Sequence, residues 1–129
     1  MNILVSGKRK RAIARASLKK GTGKIKVNNV PLEHFEPEAF KLKIMEPLIL
    51  AEEKGKNVDI AVRVSGGGIA GQTDACRLAI ARALAKHDKS LEKVFLDYDR
   101  NLIVADVRRN EPHKPNRSKP RAKRQKSYR

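Results

Sequence analysis

The chain has 129 residues, with 30 lysines and arginines, 14 aspartates and glutamates, a formal net charge of +16 and 4% aromatic residues. This length predicts one domain, or two at most, and no segment reaches the roughly 18 consecutive apolar residues that span a bilayer. The N-terminus runs from apolar to basic, the reverse of a secretory signal, and a lone cysteine, Cys76, excludes an internal disulfide and favours a reducing, intracellular setting.

Alternating residues predict β-strands in the first part of the chain. Residues 11–18 alternate between a small apolar face and a largely basic face, which indicates a strand with one side buried. The glycines at 21–23 then indicate a turn, and residues 24–27 alternate again, so a hairpin between these two strands is expected. Residues 3–5 predict a further short strand.

The middle of the chain predicts a helix followed by a strand. From Glu38 to about Lys54 the apolar residues recur at helical spacing, and Pro47 within this run predicts a kink or a break. Gly55 is suited to the end of the helix. Residues 58–65 then alternate cleanly and predict a strand.

The last predicted elements follow a glycine-rich loop at residues 66–71. Residues 72–87 predict a helix with Thr73 as its N-cap. Residues 90–96 predict a further short helix capped by its first serine, and residues 102–107 predict a short extended segment. No internal repeat is visible.

The order β-β-β-α-β-α predicts an α+β protein, in which one sheet carries helices on a single face. Residues 1–107 are enough to bury a modest core and are expected to form a globular RNA-binding domain. Residues 108–129 are rich in proline, lysine and arginine, so they are expected to form an extended basic tail that cannot fold alone.

The positive charge lies at the two ends of the chain. Residues 1–32 contain nine basic residues and no acid, residues 112–129 contain eight basic residues and no acid, and residues 33–111 contain 13 basic and all 14 acidic residues. Such segments repel themselves unless a polyanion neutralises them, so the pattern favours a nucleic acid as partner. A solvated tail or a membrane surface is the alternative, but the tail lacks the apolar face that a membrane helix needs.

The loop at 66–71 leaves three interpretations open. Gly66, Gly68 and Gly71 match the G-x-G-x-x-G pattern of dinucleotide sites, between a strand and a helix. The expected acid about 20 residues later is missing, which argues against a nucleotide-dependent enzyme. The other two interpretations are a sharp turn that needs positive φ and backbone amides that approach an RNA phosphate.

Catalytic and metal chemistry have little support. His34, His87 and His113 are far apart in sequence, and Cys76 falls on the apolar stripe of its helix, as a core residue does. We therefore expect no catalytic residue, no metal, no cofactor and no small-molecule substrate. Because aromatic residues are few, phosphate contacts to folded RNA or to a duplex are favoured over base stacking. The alternative function is that of a free nucleic-acid-binding or chaperone protein.

Several stretches together resemble the family of the ninth protein of the small ribosomal subunit, in its archaeal and eukaryotic cytoplasmic branch. They cover the chain in order: Gly7–Arg15, Gly23–Asn29, Gly66–Gln72 continuing to Leu84, Asp97–Arg100 and Gln125–Arg129.

This resemblance implies a two-layer fold like that of the second domain of the fifth small-subunit protein, with a left-handed crossover. It implies a structural role in the head of the small subunit of the cytoplasmic ribosome, in contact with the 3′ major domain of the rRNA and with neighbouring head proteins. It also implies that the tail reaches the anticodon stem-loop of the P-site tRNA, with Arg129 touching it.

Two sets of residues are expected at these contacts. Those expected to bind rRNA are Lys8, Arg9, Lys10, Arg11, Arg15, Gly67, Gly68, Gln72, Arg77, Arg108, Arg109, Lys114, Arg117, Lys119, Arg121, Lys123 and Arg124. Those expected to bind tRNA are Lys126, Ser127, Tyr128 and Arg129.

Overall fold

The structure is a computed structural model that describes residues 2–35, 37–109 and 115. The strands are β1 (Ile3–Arg9), β2 (Ala12–Lys20), β3 (Ile25–Val27), β4 (Val30–Pro31) and β5 (Val58–Ser65), and the helices are α1 (Glu38–Ala51), α2 (Ile69–His87) and α3 (Ser90–Tyr98). Short 3-10 turns cover Leu32–His34, Glu52–Gly55 and Arg100–Leu102. The predicted α+β class is confirmed.

The five strands form one mixed sheet in the order β1-β2-β5-β3-β4. Strands β1, β2 and β5 are antiparallel neighbours, and β3 runs parallel to β5. The predicted hairpin between β2 and β3 is therefore wrong, because β5 lies between them. The tight hairpin joins β1 to β2 through Lys10 and Arg11. Alternation of residues specifies the face of a strand but not its partner, which explains the error.

Asp59 explains how the chain turns away from β2. Its Oδ1 accepts hydrogen bonds from the backbone amides of Thr22, Gly23 and Lys24 at 3.0, 3.1 and 2.9 Å, so the loop after β2 is attached to β5. The side chain of Asn28 then continues the pairing of β3 with β5, because its amide accepts from Val64 N at 2.9 Å and donates to Val64 O at 3.2 Å. The segment through α1 forms the crossover from β3 to β5, and its predicted left hand stays a prediction.

Helix α2 packs against β1, β2 and β5, and α1 and α3 pack against α2. The helices and one face of the sheet enclose a single core cluster that includes Ala14, Ile44, Ile60, Leu84 and Phe95. The opposite face of the sheet is exposed to solvent along β2 and β5. The structure therefore has two layers, as predicted, and one side of the sheet carries none of the helices of residues 2–35 and 37–109.

Helix α1 continues through Pro47, which is buried within it, so the helix is not broken there, and the alternative of a kink stays a prediction. Helix α2 begins at Ile69, after Gly68 as N-cap, three residues earlier than predicted. Thr73, the predicted N-cap, is instead fully buried inside the helix, where its Oγ1 donates to the Ile69 carbonyl at 2.8 Å. The glycines had suggested that the whole of residues 66–71 was loop, but Gly71 is accommodated within the helix.

The region after α2 differs in detail from its prediction. Helix α3 extends to Tyr98, and Ser90 is its first residue rather than its cap. The Oδ1 of Asp88 accepts from the amide and the hydroxyl of Ser90 at 3.0 and 2.8 Å. Residues 102–107 form no strand; a 3-10 turn buries Leu102, and the chain then continues without regular structure as far as residue 109.

Candidate nucleic-acid interface

The tip of the β1–β2 hairpin and the glycine loop lie together at one end of the molecule, which we call the loop end (residues 10–11 and 66–68). Lys10 has a left-handed backbone (φ 54°), and the side chains of Lys10 and Arg11 are exposed. Gly66 has φ +81°, and a Cβ there would lie 2.6 Å from the Arg11 carbonyl oxygen. The side chain of Gln72 donates to the Gly66 carbonyl at 3.2 Å and so fixes the loop to α2.

The next two glycines have different roles. Gly67 also has positive φ (+65°), and its Cβ position would lie 3.3 Å from the amide of Ala12. Gly68 has φ −94°, and no atom of the described residues outside its own chain neighbours lies within 4 Å of its Cβ position. The first two glycines thus make the sharp turn that one of the three interpretations required. Gly68 leaves open space at the start of α2, where the first amides have no partner within the helix and favour an anion.

A second group of charged residues forms what we call the ionic cleft, between β1, α1, α2 and the segment after α3. Arg77 donates to Glu46 Oε2 through Nη2 at 2.6 Å and Nε at 3.1 Å, and its Nη2 lies 3.3 Å from Asp99 Oδ2. Arg9 lies 3.5 Å from Asp74 and 3.8 Å from Asp106. The side chains of Arg9 and Arg77 are only 16% and 12% exposed. These two predicted RNA contacts are therefore engaged within the protein.

The same cleft fixes the start of the C-terminal segment. Arg108 makes a 2.6 Å ion pair with Asp106, and this hydrogen bond holds the pKa of the Asp106 carboxyl well below its usual range, with a smaller contribution from Arg9. Arg109 donates to the Asp106 carbonyl at 2.6 Å. Arg82 links the segment to β1, because its Nε donates to the Ile103 carbonyl at 2.8 Å and its Nη1 to the Ser6 carbonyl at 2.9 Å.

The side of the sheet without helices, which we call the open face, holds Arg15 as predicted and a second arginine that the sequence reasoning missed. Arg15 on β2 is the direct partner of Arg63 on β5, and both side chains are exposed. Arg63 is one of the polar residues that alternate with apolar ones along β5, and this alternation was the signal that could have placed it on the exposed side. Its position beside Arg15 could not be foreseen, because β2 had been paired with β3.

Other predicted features can be located directly. Lys8 is exposed on β1, opposite Ile13. Cys76 is 1% exposed, and burial raises the pKa of its thiol to about 12, as expected of a core residue. The predicted contacts Lys114, Arg117, Lys119, Arg121, Lys123, Arg124, Lys126, Ser127, Tyr128 and Arg129 lie outside the described residues, as does His113.

The described residues contain no group of three or more histidine, cysteine, aspartate or glutamate side chains placed to hold a metal ion. Within the same part of the chain, no helix has both the length and the apolar character needed to cross a bilayer.

The sequence matches a known protein family over nearly its whole length. The family model described as Ribosomal protein S9/S16 matches residues 7–129. This chain belongs to the ribosomal protein S9 family. Its relatives include the small ribosomal subunit protein uS9 of Methanococcus maripaludis strain C7, 54% identical over 127 residues and covering 95% of each chain. Another is uS9 of Thermoplasma acidophilum, 52% identical over 129 residues and covering 98% of this chain and all of the relative.

Membership of the S9 family confirms the resemblance seen in the sequence. The chain is a structural protein of the small ribosomal subunit in the cytoplasm, and it is not an enzyme. The nucleotide-dependent enzyme suggested by the G-x-G-x-x-G pattern is therefore excluded. The first glycine of the pattern, Gly66, and the glycine after it, Gly67, instead form a sharp turn that packs against Arg11 and Ala12.

Proposed function

We propose that this S9-family chain binds the 3′ major domain of small-subunit rRNA in the head of the subunit, beside neighbouring head proteins, and that its C-terminal tail contacts the anticodon stem-loop of P-site tRNA. The separation of charge supports this proposal most strongly. Both acid-free segments carry cations in excess, while the 13 basic residues of 33–111 are matched by 14 acids. Cations without local partners gain most from releasing the counterions of an RNA.

The structure supports a division of labour among these cations. Arg9 and Arg77 are paired within the ionic cleft, so they hold the protein together rather than reach RNA. Lys10 and Arg11 project from the loop end, next to the start of α2. We assign the first rRNA contact to the loop end, where the two cations and the amides at the helix start favour the same phosphate backbone.

The tail contact with tRNA rests on the family resemblance and on the composition of residues 112–129. Arg129 supplies a planar guanidinium within an acid-free basic segment, and guanidinium–phosphate pairs are strong charge-assisted hydrogen bonds. Arg108 and Arg109, the first two residues of the proposed tail, are held at the ionic cleft. The cleft would thus set where the proposed tail begins.

A truncation series tests both parts of the proposal. Deleting residues 112–129 removes eight cations. The slope of the logarithm of the binding constant against the logarithm of salt concentration, measured for a 3′ major domain transcript, should therefore become shallower by at most about seven units. A change below about one unit would show that the tail makes no phosphate contact.

Deleting Arg129 alone should leave subunit assembly intact and weaken tRNA at the P site, as measured by filter binding of labelled tRNA to reconstituted subunits. Arg129→Lys, which keeps the charge, is the matched control and should retain more binding. Poor incorporation of the variant into subunits, with normal tRNA binding by the subunits that do assemble, would show that the two roles are reversed.

A further inference from the structure

Two arginines face each other on the open face, and no acid of the described residues lies between them. Arg15 and Arg63 are direct partners in the antiparallel register of β2 and β5, and Ser6 of β1 lies opposite Arg15 in the same row. Directly opposed side chains in an antiparallel pair have Cβ atoms about 4.5–5.5 Å apart, and like charges at that distance destabilise the sheet. Neither guanidinium has a hydrogen bond or ion pair to any described residue, so the repulsion is unrelieved within this part of the protein.

The rest of the open face does not supply the missing anion. On strands β1, β2, β3 and β5, the only acid at a described position of this face is Asp59, which lies opposite Lys19 toward the far end of the strands. Asp59 is already engaged: three backbone amides bind its Oδ1, and the hydrogen bond from the Lys24 amide is the largest cause that lowers its pKa. The central part of the face is left with cations, hydroxyls and apolar groups.

The neighbours of the arginine pair form a shallow trough. Serine hydroxyls beside the pair can donate to phosphate oxygens, and Leu4 and Ile13 are 74% and 38% exposed on the same face. The residues that line the trough include Leu4, Ser6, Ile13, Ser17, Ala61 and Ser65. No aromatic residue is among them, so the surface is suited to a sugar–phosphate backbone rather than to stacked bases.

We propose that the open face is a second RNA-binding surface, in which Arg15 and Arg63 together bind phosphates of one RNA strand. The proposal rests on the rRNA-binding function proposed above and extends it from the loop end to the middle of the sheet. The two surfaces are continuous, because Arg11, Ile13 and Arg15 alternate along one side of the chain into β2. A phosphate between two guanidinium groups converts their mutual repulsion into shared attraction.

The position of the pair supports strong binding. Both arginines project from the two central antiparallel strands, whose backbones are hydrogen bonded on both sides. Side chains on such strands are held by a rigid scaffold, so less conformational entropy is lost on binding than from a mobile segment. An acidic protein surface is the competing occupant of such a patch, and the experiment below distinguishes it from RNA.

The test measures binding of the full chain to a 3′ major domain transcript over a range of KCl concentrations. Arg15→Gln and Arg63→Gln should each weaken binding on the order of tenfold at low salt and reduce the salt slope by about 0.7–0.9 units, and the double variant by nearly twice as much. Arg63→Lys should keep the slope because it keeps the charge. Arg100→Gln is the matched control, since it removes one exposed arginine on the 3-10 turn after α3.

A tethered-cleavage experiment gives an independent readout. Ser6→Cys places a thiol on the open face, and Lys93→Cys places one on the exposed side of α3. An iron–EDTA probe should label these thiols while the buried Cys76 stays unmodified. Cleavage of the bound transcript from position 6, and weak cleavage from position 93, is the expected result.

The outcomes separate this proposal from the function on which it rests. If the wild-type chain does not bind the transcript, the proposed rRNA binding itself fails. If the wild type binds and the double variant behaves like Arg100→Gln, the loop end suffices and the open-face proposal is overturned. Normal transcript binding by the double variant, combined with its loss from reconstituted subunits, would identify a protein as the occupant and also overturn the proposal.

Discussion

The two sides of the sheet both carry arginines, but they surround them differently. On the helix-covered side, Arg77 contacts Glu46 and Asp99, and Arg9 lies near Asp74 and Asp106. On the open face, Arg15 and Arg63 are cross-strand partners, and neither pairs with an acid among the residues that the structure describes. The comparison shows that the number of cations in a segment does not tell which ones are available to a partner, because long-range pairing decides it.

This difference also shows that the position of an arginine in an acid-free or a mixed segment does not decide whether the arginine is paired with an acid. The acid-free N-terminal segment contains Arg9, which forms ion pairs with Asp74 of α2 and with Asp106 of the segment after α3. The nearly neutral central segment contains Arg63, which has no acidic partner within the described part of the chain. Stability therefore depends on the covered side, and we expect RNA affinity to depend on the open face and the loop end. Four changes test this separation.

The largest effect is expected for Gly7→Ala on the covered side. A Cβ at this position would lie 2.6 Å from the Ala75 carbonyl oxygen and 2.8 Å from the Ala79 amide, so α2 would have to move away from β1. We expect a loss of about 2–3 kcal/mol in the free energy of unfolding, measured by urea denaturation. Gly68→Ala is the control, because its Cβ would meet no atom within 4 Å. Equal losses in both variants would contradict the close packing of α2 on β1.

Arg77→Met should have the next largest effect. The substitution keeps much of the side-chain volume but leaves Glu46 and Asp99 without their cation, and both acids are partly exposed. We expect a loss of about 1–2 kcal/mol in stability, with RNA affinity of the folded protein nearly unchanged. If this variant lost as much RNA affinity as Arg63→Gln does, at the same fraction of folded protein, Arg77 would have to contact RNA directly.

Arg63→Gln should act in the opposite direction on stability. Removing one of two like charges that face each other across β2 and β5 relieves repulsion, so the free energy of unfolding should rise by roughly 0.2–1 kcal/mol in low salt. The gain should vanish at high salt and should be absent in Arg100→Gln. Thermal denaturation at two salt concentrations measures it; a clear destabilisation would show that Arg63 has a structural partner.

The smallest effect is expected at acid pH from Asp106. Its hydrogen bond with Arg108 lowers its pKa in the folded state, so its contribution to stability is complete above the unfolded value of about 3.9 and is lost as the pH falls through the lower folded pKa. Arg108 is 75% exposed, which keeps the contribution small. When the pH falls from 5 to 2, the urea midpoint of unfolding should decrease less for Asp106→Asn than for the wild type. Identical profiles would show that the ion pair contributes nothing.

The sequence predicted the faces of the elements better than their partners. The alternation in 11–18 and 58–65 correctly separated buried from exposed residues, and the apolar stripe of α2 is buried as expected. The pairing of β2 with β3 was wrong, and the start of α2 was misplaced by three residues. Both errors came from glycine-containing segments, where local turn signals do not determine which distant strand the chain joins.

By itself, the sequence determined the class of fold, the family and the segregation of charge, because residue periodicity, motifs and net charge are local or additive properties. Only the tertiary structure decided which cations are internally paired and that Arg15 stands beside Arg63. Those outcomes depend on bringing residues about 20 to 100 positions apart into contact, and the strand order that does so is selected by packing of the whole core rather than by any single segment.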